Sequence, residues 1–356
     1  MIDYNSYFHI ILPVSRKYVV RKRFQGLPKR FDYEIVEYEL PPLKDGEVLV
    51  KSEWISVDPY LRAYNRNVPV PYDQFSYQIG LVVESKNPNY PKNCRVVSHK
   101  GWCDYAIIEK HLLDSGSESE QTLELQAYKL PDLQGLPDVL GIDAIGMIGA
   151  TAYFGFLDIC KPKAGETVVV TGAAGAVGTL VGQIAKIKGC RVIGIAGSDA
   201  KVKYLEDELG FDKAINYKTE DINSALKEAA PKGVDCYFDN VGGEISSVVM
   251  GQMNDFGRVS VCGSISAYNE DPQQMPKATI IQPSLVFKQI KVEGFLVTRW
   301  LKPINQWPEA FEELLNWIKR GDIKTKYHVT DGFDKIFDAF VGMLNGENVG
   351  KSVVKV

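Results

Sequence analysis

Two textures divide this chain. From about residue 16 to about 140, short β-branched and aromatic runs such as Glu47–Lys51 and Arg95–Ser98 are broken by Pro, Gly and Asp, which predicts the strands of a β-rich region. From about 166 to 263, wholly apolar runs alternate with helical patterns, as in a parallel sheet with crossover helices. Val168-Val169-Val170 predicts a buried strand, followed by a glycine-rich turn and a helix near Ala176–Lys188. Arg191–Ala196 predicts the next strand. Asp199 is expected to cap a helix that turns Val202 and Leu205 inward. Asp235–Phe238, Arg258–Cys262 and Lys291–Val297 read as further strands. Residues 264–289, which are polar and contain Pro272, Pro276 and Pro283, predict a long irregular excursion. Trp307, Phe311, Leu314, Leu315 and Ile318 recur at helical spacing and predict a core-facing helix, with a β-rich tail after it. At the other end, Phe8–Leu12 is a short apolar run, read as a tail or an added first strand.

Composition narrows the class. The chain has 356 residues, 45% hydrophobic and 24% charged, as expected of a globular protein of two domains. A net charge of -4 gives no reason to expect a nucleic-acid backbone or an anionic membrane as partner. The Phe8–Leu12 run is too short to span a bilayer and lacks the features of a secretory signal. Six cysteines without a C-x-x-C pair suit a reducing, cytoplasmic setting.

The strongest motif is Gly172-Ala173-Ala174-Gly175-Ala176-Val177-Gly178, between a predicted strand and a predicted helix. Glycines let the backbone turn sharply and let a pyrophosphate approach exposed N–H groups at the positive end of a helix. The spacing is G-x-x-G-x-x-G instead of G-x-G-x-x-G. A dinucleotide site that takes NAD places a carboxylate at the end of the second strand. Here that position is Gly197. Ser198 follows as a hydrogen-bond donor and Lys201 as a positive charge, so NADPH is the expected cofactor. No metal is expected: His9, His99, His111 and His328 are scattered, and Cys94, His99 and Cys103 lack ligand spacing.

Further runs bear a more specific resemblance. They are Leu40-Pro41-Pro42-Leu43-Lys44, Ser56-Val57-Asp58-Pro59-Tyr60-Leu61-Arg62, Thr151-Ala152-Tyr153-Phe154-Gly155, Tyr237-Phe238-Asp239-Asn240-Val241-Gly242-Gly243, Cys262–Asn269 and Gly346-Glu347-Asn348-Val349-Gly350-Lys351. From about Val14 onward the chain resembles the zinc-independent medium-chain dehydrogenases/reductases. The resemblance implies an α/β fold with a GroES-like β-rich domain over residues 1–145 and 319–356. A Rossmann domain with a doubly wound parallel sheet would fill 146–318, and the active site would lie between the two. It further implies that Gly175, Ala176, Val177 and Gly178 hold the pyrophosphate, and that Lys201 and Tyr217 surround the ribose phosphate. Asn240 and the run Cys262, Gly263, Ser264, Ile265, Ser266, Ala267 and Tyr268 would line the cofactor, with Phe295, Leu296, Val297 and Asn348 at its nicotinamide half. It suggests a homodimer. Two departures are visible: Gly146-Met147-Ile148-Gly149 has isoleucine where such chains often carry proline, and the first dozen residues have no counterpart.

The chemistry implied is hydride addition across the carbon–carbon double bond of an α,β-unsaturated ketone or aldehyde, such as a 15-oxoprostaglandin or a lipid alkenal. A donor must then stabilise the enolate oxygen as charge develops. Tyr268, just beyond a strand end, is the candidate donor, with a proton for the α-carbon coming from water. Tyr60, Tyr64 and Tyr72 are candidates for the substrate cleft, while Arg62 and Arg299 are read as surface residues. Two other readings stay open. A quinone reductase of the same fold would be told apart by substrate preference. A non-catalytic, crystallin-like NADPH-binding protein would bind cofactor without turnover.

Overall fold

The structure, a computed structural model, describes residues 14–113, 126–271, 281–301 and 306–356. Phe8–Leu12, Pro272 and Pro276 lie outside the described residues.

A six-stranded parallel sheet forms the second half of the chain. Its spatial order is Lys213–Asn216, Arg191–Ala196, Thr167–Thr171, Val234–Asp239, Met253–Val261 and Lys291–Gly294. In sequence terms the strands run third, second, first, fourth, fifth, sixth, which is the doubly wound order. The Val168–Val170 run sits at the centre because each of its side chains is fully buried, as a strand covered by helices on both faces requires. The strand order reverses between the parallel neighbours Thr167–Thr171 and Val234–Asp239, so their carboxyl ends open a crevice for a ligand.

A seven-stranded sheet gathers the other half, in the order Tyr327–Asp331, Lys351–Lys355, Val48–Ser56, Gln78–Ser85, Arg95–Ser98 and Tyr128–Lys129, with Tyr105–Ile108 also paired to Val48–Ser56. The C-terminal strand reaches this sheet by antiparallel pairing of Val353 with Ser56. A small sheet of Tyr33–Glu39, Val14–Val20 and Tyr72–Asp73 completes the layer.

Most predicted strands lie within a few residues of their expected bounds, and four local readings are corrected. Residues 264–289 are not irregular throughout: Gln282–Lys288 is a helix with Pro283 in its first turn, where a missing N–H costs nothing. The expected strand Lys291–Val297 ends at Gly294, because the Phe295 ring turns to pack on Gly155 and Trp300. The tail contains a second helix, Ile336–Leu344, whose Ile336, Phe337, Phe340 and Met343 pack against Tyr18, Tyr33 and Trp102. The helix cap is Ser198, not Asp199: the Ser198 side chain accepts from the Lys201 N–H at 3.3 Å, and Asp199 is the first helical residue. The isoleucine at the Gly146–Gly149 junction is accommodated, since Gly146 caps a helix running Met147–Cys160. The Trp307–Arg320 helix buries Leu314 completely, and truncating it to alanine would cost about 2–5 kcal/mol.

Candidate active site

The site begins at the turn between the central strand and its helix. Gly172 has φ +59°, a left-handed value that favours glycine. A β-carbon on Gly178 would stand 2.4 Å from the Gly172 carbonyl oxygen and 2.8 Å from the Ala173 Cα, so only glycine lets helix and turn meet. The helix Ala176–Ile187 is capped by Gly175 with no side chain, and its first internal bond runs from Thr179 N–H to Gly175 O at 3.0 Å. The N–H groups of Ala176, Val177 and Gly178 therefore lie ahead of the helical ladder, at the positive end of the dipole. The C-terminal segment closes over this turn: Gly350 N–H donates to Ala174 O at 2.8 Å and Gly350 bridges Gly175. The Asn348 amide is held by Gly350 O at 2.8 Å.

The residues expected to meet the adenosine half lie at the ends of the next two strands, which pair Ala196 with Asn216. The Tyr217 ring lies over Gly197, where a β-carbon would come within 2.9 Å of it, so a side chain at 197 would have to push that ring aside. Asp199 is turned away and accepts from the Asn216 amide at 2.6 Å. Lys201 donates to Gly346 O at 2.7 Å, and its ammonium is pulled below its ordinary pKa by burial and by the nearby charge of Lys218. Two like charges brought together beside the Tyr217 ring suit an anion. Lys218 was missed in the sequence, although strand register could have found it. Residues just past two adjacent parallel strand ends must lie side by side.

The other end lies across the crevice. Asn240 N–H donates to Thr171 Oγ1 at 3.0 Å and its amide to Thr171 O at 2.7 Å, tying the two central strand ends together. Buried Asp239 accepts from the N–H groups of Val241 and Gly242, each at 2.9 Å, which shapes the turn beyond. Cys262 and Gly263 donate their N–H groups to Asp239 O, and the turn Ile265–Ala267 rests on Asn240 and Val241 through Ile265, Ser266 and the Ser266 hydroxyl. Tyr268 leaves this turn with its hydroxyl directly over Gly263, where a β-carbon would be 3.1 Å from it. The hydroxyl accepts from Ser264 N–H at 3.3 Å, which leaves its own proton to donate. Burial pushes the phenol above its ordinary pKa, partly opposed by that N–H, so it stays protonated at neutral pH.

Of the four residues expected at the nicotinamide half, Asn348 is held by Gly350 O, and Phe295 packs its ring against Gly155, Phe238 and Trp300 while its N–H donates to Val261 O. Leu296 is 65% exposed, and Val297 is half-buried at the start of a 3-10 turn.

Tyr60, Tyr64 and Tyr72 do come together, around Phe75, with ring centroids 6.5, 6.1 and 5.7 Å from it. Tyr72 accepts from the Asn65 amide at 3.1 Å. The short helix Tyr60–Tyr64 is bound to the Tyr268 loop by arginines. Arg66, just beyond the helix, donates to the carbonyls of Ala267, Tyr268 and Glu270 at 2.9, 3.2 and 2.7 Å. Arg62 donates to Asn269 Oδ1 at 2.9 Å and to Gly26 O. Arg62 is 2% exposed, not the surface residue its type suggests, because it joins segments 200 residues apart. Arg299 is an exposed partner of Glu293. Among the described residues no group of three or more His, Cys, Asp or Glu could hold a metal.

Known proteins share this architecture. Residues 176–320 match a family model described as zinc-binding dehydrogenase, and residues 16–115 match one described as the N-terminal domain of oxidoreductase. Prostaglandin reductase 1 of Bos taurus is 45% identical over 342 residues, covering 96% of this chain and 99% of the relative. The NADP(+)-dependent 2-alkenal reductase of Nicotiana tabacum is 38% identical over 356 residues, covering 96% of this chain and 98% of the relative. The crystal structure of CurA from Vibrio vulnificus in complex with NADPH superimposes with a TM-score of 0.86 at 33% identity, covering 96% and 99% of the two chains.

Proposed function

We infer function from one premise: this chain belongs to the medium-chain dehydrogenases/reductases, in the family of prostaglandin reductase 1. It is an NADPH-dependent reductase of the carbon–carbon double bond in α,β-unsaturated ketones and aldehydes, with 15-oxoprostaglandins and lipid alkenals as its proposed substrates. The observation that carries this reading is the Tyr268 hydroxyl, protonated and free to donate, over Gly263 at the mouth of the crevice that the glycine turn opens.

The residues fit the cofactor. The uncapped helix start at Gly175–Gly178 suits a pyrophosphate, and Tyr217, Ser198, Lys201 and Lys218 suit a 2′-phosphate on its ribose. Asn240 and the Cys262–Tyr268 run would line the path to the nicotinamide, with the backbone of 295–297 and Asn348 at its edge. When bound, NADPH supplies a hydride to the β-carbon of the enone. Tyr268 donates its O–H to the carbonyl oxygen, and that bond strengthens as charge moves onto the oxygen, which lowers the barrier. Tyr60, Tyr64 and Tyr72 form the aromatic wall of the substrate cleft on the other side. In this reading residues 1–145 with 319–356 form the substrate domain and 146–318 the cofactor domain, with catalysis between them. The Arg62 and Arg66 bonds across that boundary support the division.

We propose a cytoplasmic homodimer acting in lipid metabolism. Among the described residues no helix is long and apolar enough to cross a membrane. Among the described residues the outermost strand of the parallel sheet, Lys291–Gly294, is paired along one edge only. Val286, Phe287 and Leu296 nearby are 70%, 83% and 65% exposed, a surface suited to a second copy. Sedimentation of wild type and Phe287→Lys tests this: a dimer that the substitution dissociates is expected, and a wild-type monomer at micromolar concentration rules it out.

NADPH absorbance loss with 15-oxo-prostaglandin E2, a medium-chain 2-alkenal and a quinone, each repeated with NADH, tests the activity. Turnover of the enones with NADPH, giving the saturated carbonyl, is expected. Turnover of the quinone alone would assign a quinone reductase, and cofactor binding without turnover would leave a binding protein.

A further inference from the structure

Reduction of an enone consumes a proton as well as a hydride, and the site described so far places no acid for the α-carbon. In the β-rich half the structure contains an unexpected pair: the Tyr60 hydroxyl lies 3.1 Å from His99 Nε2. The imidazole is caged by aromatic rings, with centroids 6.3 Å from Tyr60, 5.4 Å from Phe75 and 4.9 Å from Tyr77. Such a cage orients the ring and aims Nε2 at one oxygen. Tyr60 in turn stands edge-on to Tyr64 at 5.8 Å, on the helix whose following arginine, Arg66, grips the backbone of the Tyr268 loop. Tyr64 is near enough to Tyr268 for its charge to raise that phenol's pKa.

We propose that His99 and Tyr60 form a proton relay to the substrate cleft, with Tyr60 the acid that protonates the α-carbon and His99 the positioning residue that recharges it. The proposal rests on the enone-reductase reading above. Once hydride has added to the β-carbon, the π electrons of the double bond reside on the enolate. The α-carbon takes the proton of the Tyr60 O–H, leaving a phenolate. The His99 imidazolium passes its Nε2 proton to that oxygen, and the neutral imidazole takes a proton from solvent. The product is the saturated carbonyl, and both side chains return to their starting state.

The surrounding charges suit these roles. Burial and the carboxylate of Asp58 push the Tyr60 phenol well above its ordinary pKa, so it rests as an acid. Tyr77, on the other face of His99, is raised in the same way by burial, with Tyr128 and Asp58 adding to it. The neighbouring cation, Lys100, is paired with Glu109 at 2.6 Å. The relay needs the imidazolium, so activity should fall as pH rises through the histidine titration.

The test is kcat/KM for a 2-alkenal at saturating NADPH, from pH 5.5 to 9, in wild type, His99→Gln and Tyr60→Phe, with NADPH affinity and thermal melting as checks on folding. Wild type is expected to lose activity along a one-proton limb as pH rises. His99→Gln keeps a hydrogen-bonding group but cannot titrate; it should lose that limb and run about 10- to 100-fold slower at pH 6. Tyr60→Phe should lose the same limb, since His99 acts through Tyr60. A wild-type profile without the limb, or a limb that persists in either variant, overturns the relay. Absence of enone turnover in wild type, at any pH, would instead overturn the reading it rests on.

Discussion

The two ends of the crevice are built by different means. The proposed adenosine end comes from one stretch, Gly172 to Lys218, in which each strand, turn and helix follows the last in sequence. The proposed reactive end is assembled from segments around Tyr60, Phe75, His99, Asn240 and Tyr268, held together by arginines that reach across the fold. A site made within one βαβ unit needs only strand register and glycine sterics. A site made from distant segments needs the two halves of the molecule to dock first.

The sharpest way to break this comparison is at Tyr268. Tyr268→Phe should lower kcat about 100-fold or more while leaving NADPH affinity within roughly twofold, because the donor acts on the transition state. Full kcat with chemistry rate-limiting would remove the donor role. At the opposite end, Lys201→Ala should raise KM for NADPH about 10- to 100-fold and leave KM for NADH nearly unchanged. Lys218→Ala should do the same to a smaller extent, and equal effects on both cofactors would show that neither lysine meets the 2′-phosphate.

A milder effect is expected at the glycine turn. Gly178→Ala forces a β-carbon against the Gly172 carbonyl and should cost about 1–3 kcal/mol in urea unfolding, with weaker NADPH binding. An unchanged midpoint would mean the turn relaxes freely.

A pH-dependent effect concerns the seam between the halves. Asp143, just ahead of the Met147–Cys160 helix, is buried, and burial pushes its carboxyl up to about 7, with the charge of Lys351 opposing. Lys351 is itself buried and paired with Asp58 at 3.1 Å. A carboxyl whose pKa is higher folded than unfolded binds more protons in the folded state. Its contribution is therefore lost as pH rises from about 4 to about 7. Asp143→Asn should flatten the decline in unfolding free energy between pH 5 and pH 7.5. An identical slope in both proteins would remove Asp143 from that linkage.

What could be read from the chain follows this division. Apolar periodicity located the parallel strands, since a strand covered on both faces must be apolar throughout. The turn Gly172–Gly178 and the empty position at Gly197 were legible because backbone sterics and the missing carboxylate are local properties. The place of Tyr268 just beyond a strand end was legible because the strand before it is an apolar run. Lys218 was not singled out, because its value depends on the register of Lys213–Asn216 beside Arg191–Ala196. Arg62 looked like an ordinary surface arginine, and His99 like a scattered histidine, because the partners of each lie far off in sequence.

The sequence by itself determined the alternating α/β half, the glycine turn and the preference for a phosphorylated ribose, since each rests on neighbours a few residues apart. Only the tertiary structure decided that Tyr60, Tyr64 and Tyr72 share one aromatic wall, that Arg62 and Arg66 bind it to the Tyr268 loop, and that His99 meets Tyr60. Those contacts join segments tens to hundreds of residues apart, and chain closure over such distances leaves no local pattern from which they could be read.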